Sequence, residues 1–328
     1  MGWGMFGKRT NHILVIKTDG LASFVAAEPV YEALRAAHPD SLISLLTTPD
    51  LQRVAKASPY FDQVAALPPA REPENRRLFL KHLKGEKFAR VYDLSGDADG
   101  RRVQNALGPF PPKWFAAAPA KRGGARDMRG QRYVRMLASA GVEERSRLPD
   151  FSWALTARKG AANMEPSWFG VSGPFGLLSP AADPRVRWST ADYAALAREM
   201  GRAGMTPVVV GARDIHEAAD DICHEAPEAV DLVGKCDHLQ LVALAHEAAF
   251  FVSDDAEEIH LALSAGCPGV LIKRSPDASP PQGRNVVVLT VAANGDEPDA
   301  RFVWRTLENM QLTPQDPEAG ERAFALQH

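Results

Sequence analysis

AFFVSDDAEEIHLALSAGCPGVLI, residues 249–272, is the stretch that decides the fold. Ala249 to Val252 is a short apolar run, suited to a strand buried on both faces. It runs into the polar Ser253-Asp254-Asp255. Ile259 to Ala265 has helical spacing and is closed by Gly266, a residue that ends helices without steric cost. Gly269 to Ile272 is a second apolar run. A strand, loop, helix and strand in so short a span imply parallel strands joined by a helical crossover.

The same alternation extends in both directions. Towards the N-terminus lie a strand at Phe175–Leu178, a helix at Thr190–Ala203 capped by Ser189 or Thr190, and a strand at Pro207–Val210. A helix at Ile215–Glu225, a short strand at Val230–Leu232 and a helix at Leu239–Glu247 follow. Beyond the quoted stretch come a strand at Asn285–Leu289 and a helix at Ala300–Met310. The first half reads alike: strands at Ile13–Ile16, Leu42–Leu46, Val64–Leu67 and Ala89–Leu94, with helices at Phe24–His38, Asp50–Ala57, Arg76–Lys84 and Gln131–Ala140. Residues 108–125, rich in Pro, Gly and Ala, read as irregular. Residues 142–175 lack a clear period and are expected to hold the linker. The expectation is an α/β chain of two doubly wound, Rossmann-like domains, 1–165 and 166–328, facing a cleft. Ligands in such sheets bind beyond the carboxyl ends of the strands.

The bulk numbers agree. At about 150 residues per domain, 328 residues suit two domains, and 45% hydrophobic residues supply two cores. A net charge of -3 gives no reason to expect a nucleic-acid partner. Lys121, Arg122, Arg126, Arg129, Arg132 and Arg135 form a local basic cluster. It reads either as a solvated face or as a site for an anionic acceptor. Cys223, Cys236 and Cys267 fit neither a zinc site nor a disulfide framework. The N-terminal apolar run is too short for a signal-peptide core, and no stretch approaches the length of a membrane span. The chain therefore reads as cytoplasmic. No Gly-x-Gly-x-x-Gly follows a strand and no Gly-x-Ser-x-Gly occurs, so dehydrogenase and serine-hydrolase chemistry lack support.

Five segments, in order, resemble glycosyltransferase family nine, the ADP-heptose lipopolysaccharide heptosyltransferases. They are Ile13-Leu14-Val15-Ile16-Lys17-Thr18 with Leu34 to Asp40; Tyr92-Asp93-Leu94-Ser95-Gly96; Arg187-Trp188-Ser189 with Tyr193 to Leu196; Asp231 to Lys235 with Leu241 to Glu247; and Val252 to Asp255 through His260-Leu261-Ala262 and Gly266-Cys267-Pro268. The resemblance implies the GT-B fold, with an acceptor-binding first domain and a donor-binding second domain. It implies inverting transfer of a sugar from a nucleotide donor, an ADP-sugar, to a saccharide or lipid-saccharide acceptor in envelope polysaccharide synthesis. No metal or cofactor is required, and the resemblance leaves room for peripheral association with the inner membrane. The family's donor loop matches Asp255, Ala256, Glu257 and His260. A loop opening a helix offers free N–H groups and a positive end to a diphosphate. His260 is then either ligand-facing or an ordinary helix residue. Arg185, Arg187 and Lys235 would lie near the phosphates.

The chain departs from the family at chemical positions. The Gly-Asp before the family's first helix, which carries the general base, is matched by Ala22 and Ser23. An unactivated serine hydroxyl is not a base. Asp19 on the same loop is either a substitute base, with Ser23 beside it, or part of an Asp-Gly turn with Gly20. The phosphate-facing Gly is matched by Glu257, with Glu258 next to it. At 4 Å, two like charges cost roughly 4 kcal/mol at an effective dielectric near 20. The family's Lys is matched by Val186, and its Pro-Gly after the domain's first strand by Ser179-Pro180-Ala181. The alternative expectation is a non-catalytic relative that keeps the fold as a binding or scaffolding module.

Overall fold

The computed structural model describes residues 11–118, 128–144, 148–157, 161–254, 256–273, 285–291 and 297–314. They divide into two compact units, which separate between Ala157 and Ala161.

The first unit holds β1 (His12–Ile16), α1 (Leu21–Ala26), α2 (Glu28–Ala37), β2 (Leu42–Thr47), α3 (Gln52–Ala57), β3 (Gln63–Ala66) and α4 (Pro73–Leu83). β4 (Arg90–Asp93), α5 (Ala98–Leu107), β5 (Lys113–Ala116), α6 (Met128–Ala140) and α7 (Trp153–Ala157) complete it. Its five strands pair in the order β3-β2-β1-β4-β5, all parallel. β1 is apolar along its length because both of its faces are covered. Ile13, Leu14, Val15 and Ile16 are all buried.

The second unit holds β6 (Phe175–Ser179), α8 (Thr190–Arg202), β7 (Thr206–Val209), α9 (His216–Glu225), β8 (Val230–Asp231) and α10 (His238–Glu247). β9 (Phe250–Ser253), α11 (Glu258–Ser264), β10 (Gly269–Lys273), β11 (Val286–Thr290) and α12 (Ala300–Asn309) follow. Six parallel strands pair in the order β11-β10-β9-β6-β7-β8. β6, β9 and β10 are buried at every residue. Ser189 caps α8 by accepting from Asp192 N, as the sequence suggests. Asp237 and Gln240 close a capping box on α10.

Several elements differ from the sequence reading, among them α7, which lies inside the stretch expected to hold the linker. The expected helix Phe24–His38 is two helices. Pro29 sits in the first turn of α2, and its missing N–H and its ring forbid a continuous helix through it. α5 was not expected. It is started by Asp97, whose carboxylate accepts from Asp99 N and Gly100 N, each at 2.9 Å. β5 lies inside the stretch expected to be irregular and forms a sheet edge, where flanking prolines are tolerated. No helix among the described residues is long and apolar enough to cross a membrane.

Candidate functional site

In each sheet the strand order reverses once, and the carboxyl ends at that reversal open a crevice. In the first unit the reversal lies between β1 and β4. The chain leaves β1 as Lys17-Thr18-Asp19-Gly20 and leaves β4 as Leu94-Ser95-Gly96-Asp97. Gly20, at φ 93, opens α1 in a conformation that favours glycine.

These loops form one polar cluster. The Lys17 ammonium is fully buried and sits 2.7 Å from Asp19 Oδ1. It also donates to Tyr133 Oη at 2.7 Å and to Ser23 Oγ at 3.2 Å. Arg132, from α6, donates to Asp19 Oδ2 at 3.1 Å and to Tyr133 Oη at 2.7 Å. The Ser23 hydroxyl donates to Asp19 Oδ2 at 2.8 Å. Thr18 N donates to Ser95 Oγ at 2.7 Å, and the Thr18 hydroxyl donates to Asp97 at 3.2 Å. Burial pushes the Asp19 carboxyl up. The Lys17 charge and the hydrogen bonds from Lys17, Ser23 and Arg132 outweigh it, so Asp19 lies below the usual carboxylate range. It is an ionised acceptor between two cations. Behind it, burial pushes Asp93 up to about 6, against hydrogen bonds from Gly96 N and Ser95 N.

In the second unit the reversal lies between β6 and β9. Asp254, just past β9, is fully buried. Its carboxylate accepts from Ala181 N, in the loop after β6, and from Trp188 N at 2.6 Å, just before α8. Burial pushes the Asp254 carboxyl up to about 7, against hydrogen bonds from the main-chain N–H groups of Trp188, Ala181 and Asp254 and from Tyr193. A folded value above the unfolded one means that stability is greatest at low pH and falls as pH rises towards 7. The unfolding free energy is expected to drop by about 2–4 kcal/mol between pH 4.5 and 8 through this group. Asn mimics the protonated acid, so denaturant unfolding of Asp254→Asn across that range is expected to show a flatter profile. An unchanged slope would contradict the assignment.

The anticipated donor-site residues are placed as follows. Arg187 turns back on the loop after β6, donating to Ala181 O at 2.5 Å and Ala182 O at 2.8 Å. Arg185 is exposed and forked onto Asp183. Lys235 lies past β8 and reaches Asp231 Oδ2 at 2.5 Å. Ala256 is buried, Glu257 is exposed at the head of α11, and His260 is half-buried as the third residue of that helix. Asp255 lies outside the described residues. Lys121, Arg122, Arg126 and the Arg129 side chain also lie outside them. Glu258 is pushed up by burial first, with repulsion from Glu257 and Asp214 adding to it.

Asp19 and Ser23, singled out from the sequence, come together. Lys17, Ser95, Tyr133 and Asp254 were not singled out as site residues, and Arg132 was named only within the basic cluster read as a solvated face or an anionic-acceptor site. Lys17 and Asp254 each stand at a strand's carboxyl end, a signal open to sequence reading. Tyr133 carries no local signal, and Arg132 carries only that of the basic cluster around it.

Residues 127–303 match the profile of glycosyltransferase family 9 (heptosyltransferase). The chain belongs to glycosyltransferase family 9. Lipopolysaccharide heptosyltransferase 2 of Salmonella typhimurium is 24% identical over 312 residues, covering 84% of this chain and 87% of the relative. The structure of E. coli ADP-heptose lipopolysaccharide heptosyltransferase II superposes with a TM-score of 0.74 at 19% identity, covering 92% of this chain and 98% of that one. E. coli heptosyltransferase WaaC with ADP-2-deoxy-2-fluoro heptose superposes with a TM-score of 0.71 at 14% identity, covering 91% and 99%. The family 9 chain thus has the GT-B fold, with two parallel-sheet α/β units.

Proposed function

We propose that this family 9 chain transfers a sugar from an ADP-sugar to a saccharide or lipid-saccharide acceptor, inverting the anomeric centre, in envelope polysaccharide synthesis. The first unit takes the acceptor and the second the donor. The reaction runs on the cytoplasmic side, with the protein held peripherally at the inner membrane. The observation that carries this reading is Asp19, an ionised carboxylate at the β1/β4 crevice, 2.8 Å from the Ser23 hydroxyl. The acceptor oxygen attacks the anomeric carbon, the bond to the diphosphate breaks and ADP leaves. The acceptor proton passes to Asp19, which then serves as general base. Lys17 and Arg132 hold the carboxylate in place at the expense of its basicity. Arg187, Lys235 and the head of α11, with Asp255, Ala256, Glu257 and His260, form the donor side, and Arg185 contributes from the rim.

A second reading is a binding module without turnover. It is favoured by the cations that engage Asp19 and by Glu257 and Glu258 at the head of α11.

Titration with ADP tests the donor site. ADP at about 100 times its Kd is expected to raise stability by about 2.7 kcal/mol, read as a higher Tm. No shift at millimolar ADP removes the donor assignment. Where ADP binds, Asp19→Asn is expected to cut turnover by about 10²–10⁴-fold while leaving the ADP shift intact. A binding module would show the ADP shift and no turnover in either protein.

A further inference from the structure

None of the residues of α4 is buried. Phe79, Leu80 and Leu83 lean on the first unit's core without being enclosed by it. Between α4 and α5 runs a groove of about 540 Å³. Arg76, Arg77, Lys81, Lys84 and Arg102 line it around an apolar floor that includes Leu80. None of the lining residues is acidic. Asp99 pairs with Arg76 and Arg102 from beside it, and Glu72 and Glu74 stand at the head of α4, against the five cations of the lining. Arg76 is largely enclosed and held by Asp99, so the exposed charge of the groove is that of Arg77, Lys81, Lys84 and Arg102. The Lys84 end of the groove abuts Gly108, where a Cβ would lie 3.9 Å from Lys84 Cε. Two residues further on, Phe110 is 93% exposed. Leu78, beside Arg77 on α4, is 49% exposed.

We infer that the α4–α5 face docks the protein on an anionic phospholipid surface. The exposed cations Arg77, Lys81 and Lys84 meet the headgroup phosphates, and Phe110 enters the interface. Cations draw a protein to anionic lipid, and apolar side chains then hold it there. An exposed aromatic at the end of a basic groove combines both interactions on one side of the first unit. The inference gives a surface to the peripheral membrane association proposed above and rests on that part of the reading. It does not depend on sugar transfer.

Co-sedimentation of the full chain with vesicles tests it. Vesicles of phosphatidylcholine with a minority of phosphatidylglycerol are expected to bind the protein, and vesicles of phosphatidylcholine alone to bind it far less. Replacing Arg77, Lys81 and Lys84 together with Gln is expected to weaken binding roughly a hundredfold. Phe110→Ser is expected to weaken it roughly tenfold. All four residues are exposed, so each variant should keep the wild-type Tm. Raised salt should release the wild-type protein. No vesicle binding, equal binding to both vesicle types, or binding unchanged in the variants would each overturn the inference. So would stabilisation by inorganic phosphate in a protein that ignores vesicles. The ADP shift is measured without lipid, so failure here stays separate from failure of the donor assignment.

Discussion

Lys17→Met is expected to destabilise the protein by about 3–5 kcal/mol, measured by denaturant unfolding. Met keeps the length of the stem but removes the ammonium that lies 2.7 Å from both Asp19 Oδ1 and Tyr133 Oη. The carboxylate is then left in a buried setting with Arg132 as its remaining cation. That is the costly way to break a buried cluster, because the carboxylate stays behind with only part of its compensation. The pH dependence carries a second signature. Asp19 lies below the ordinary carboxylate range in the folded protein, so its contribution is present at neutral pH and is lost as pH falls through the folded value. Without Lys17 the strongest influence opposing burial is gone, and the loss of stability on acidification is expected to shrink. Asp19→Asn added to Lys17→Met should cost less than about 1 kcal/mol further, because interacting sites are not additive. Wild-type stability in Lys17→Met would show that the cluster is incidental.

Gly269→Ala is expected to cost about 3 kcal/mol. A Cβ at Gly269 would lie 2.1 Å from the main-chain oxygen of Phe251. Both residues sit in neighbouring central strands, paired in register, so neither backbone can yield without shifting the sheet. A change of Tm below about 2 °C would contradict that close approach. The register at stake also sets where β9 delivers Ser253 and Asp254, so ADP affinity in Gly269→Ala is expected to fall together with stability.

The second unit was easier to read from sequence than the first. β6, β9 and β10 are buried on both faces, which makes them continuous apolar runs, and Ser189 and Gly266 mark helix ends by chemistry that acts locally. α5 escaped because it buries only Gly100 and Val103, and its starting residue Asp97 stands in an Asp-Gly-rich stretch that looks like a turn. The break at Ala27 was hidden by an apolar pattern that continues across Pro29. In the site, Asp19 and Ser23 lie on one loop and could be linked by proximity. Arg132 reaches Asp19 across 113 residues of chain, so its charge reads as a solvated face or an acceptor site until the fold encloses it. Asp254 was overshadowed by its neighbour because resemblance drew attention to Asp255 and His260. Its own role, joining two main-chain N–H groups from another loop, depends on strand order.

That role divides the second unit's crevice into a fixed part and an exposed one. The loop 180–188 is anchored at Ala181 and Trp188 by a single enclosed carboxylate, and Arg187 ties it again through two of its own carbonyls. Among the described residues no side-chain cap holds the head of α11, and Glu257 there is exposed. Changes at 181 or 188 therefore disturb the frame at once. The enclosed carboxylate thus fixes one wall of the crevice, while residue 257 stands at its exposed rim.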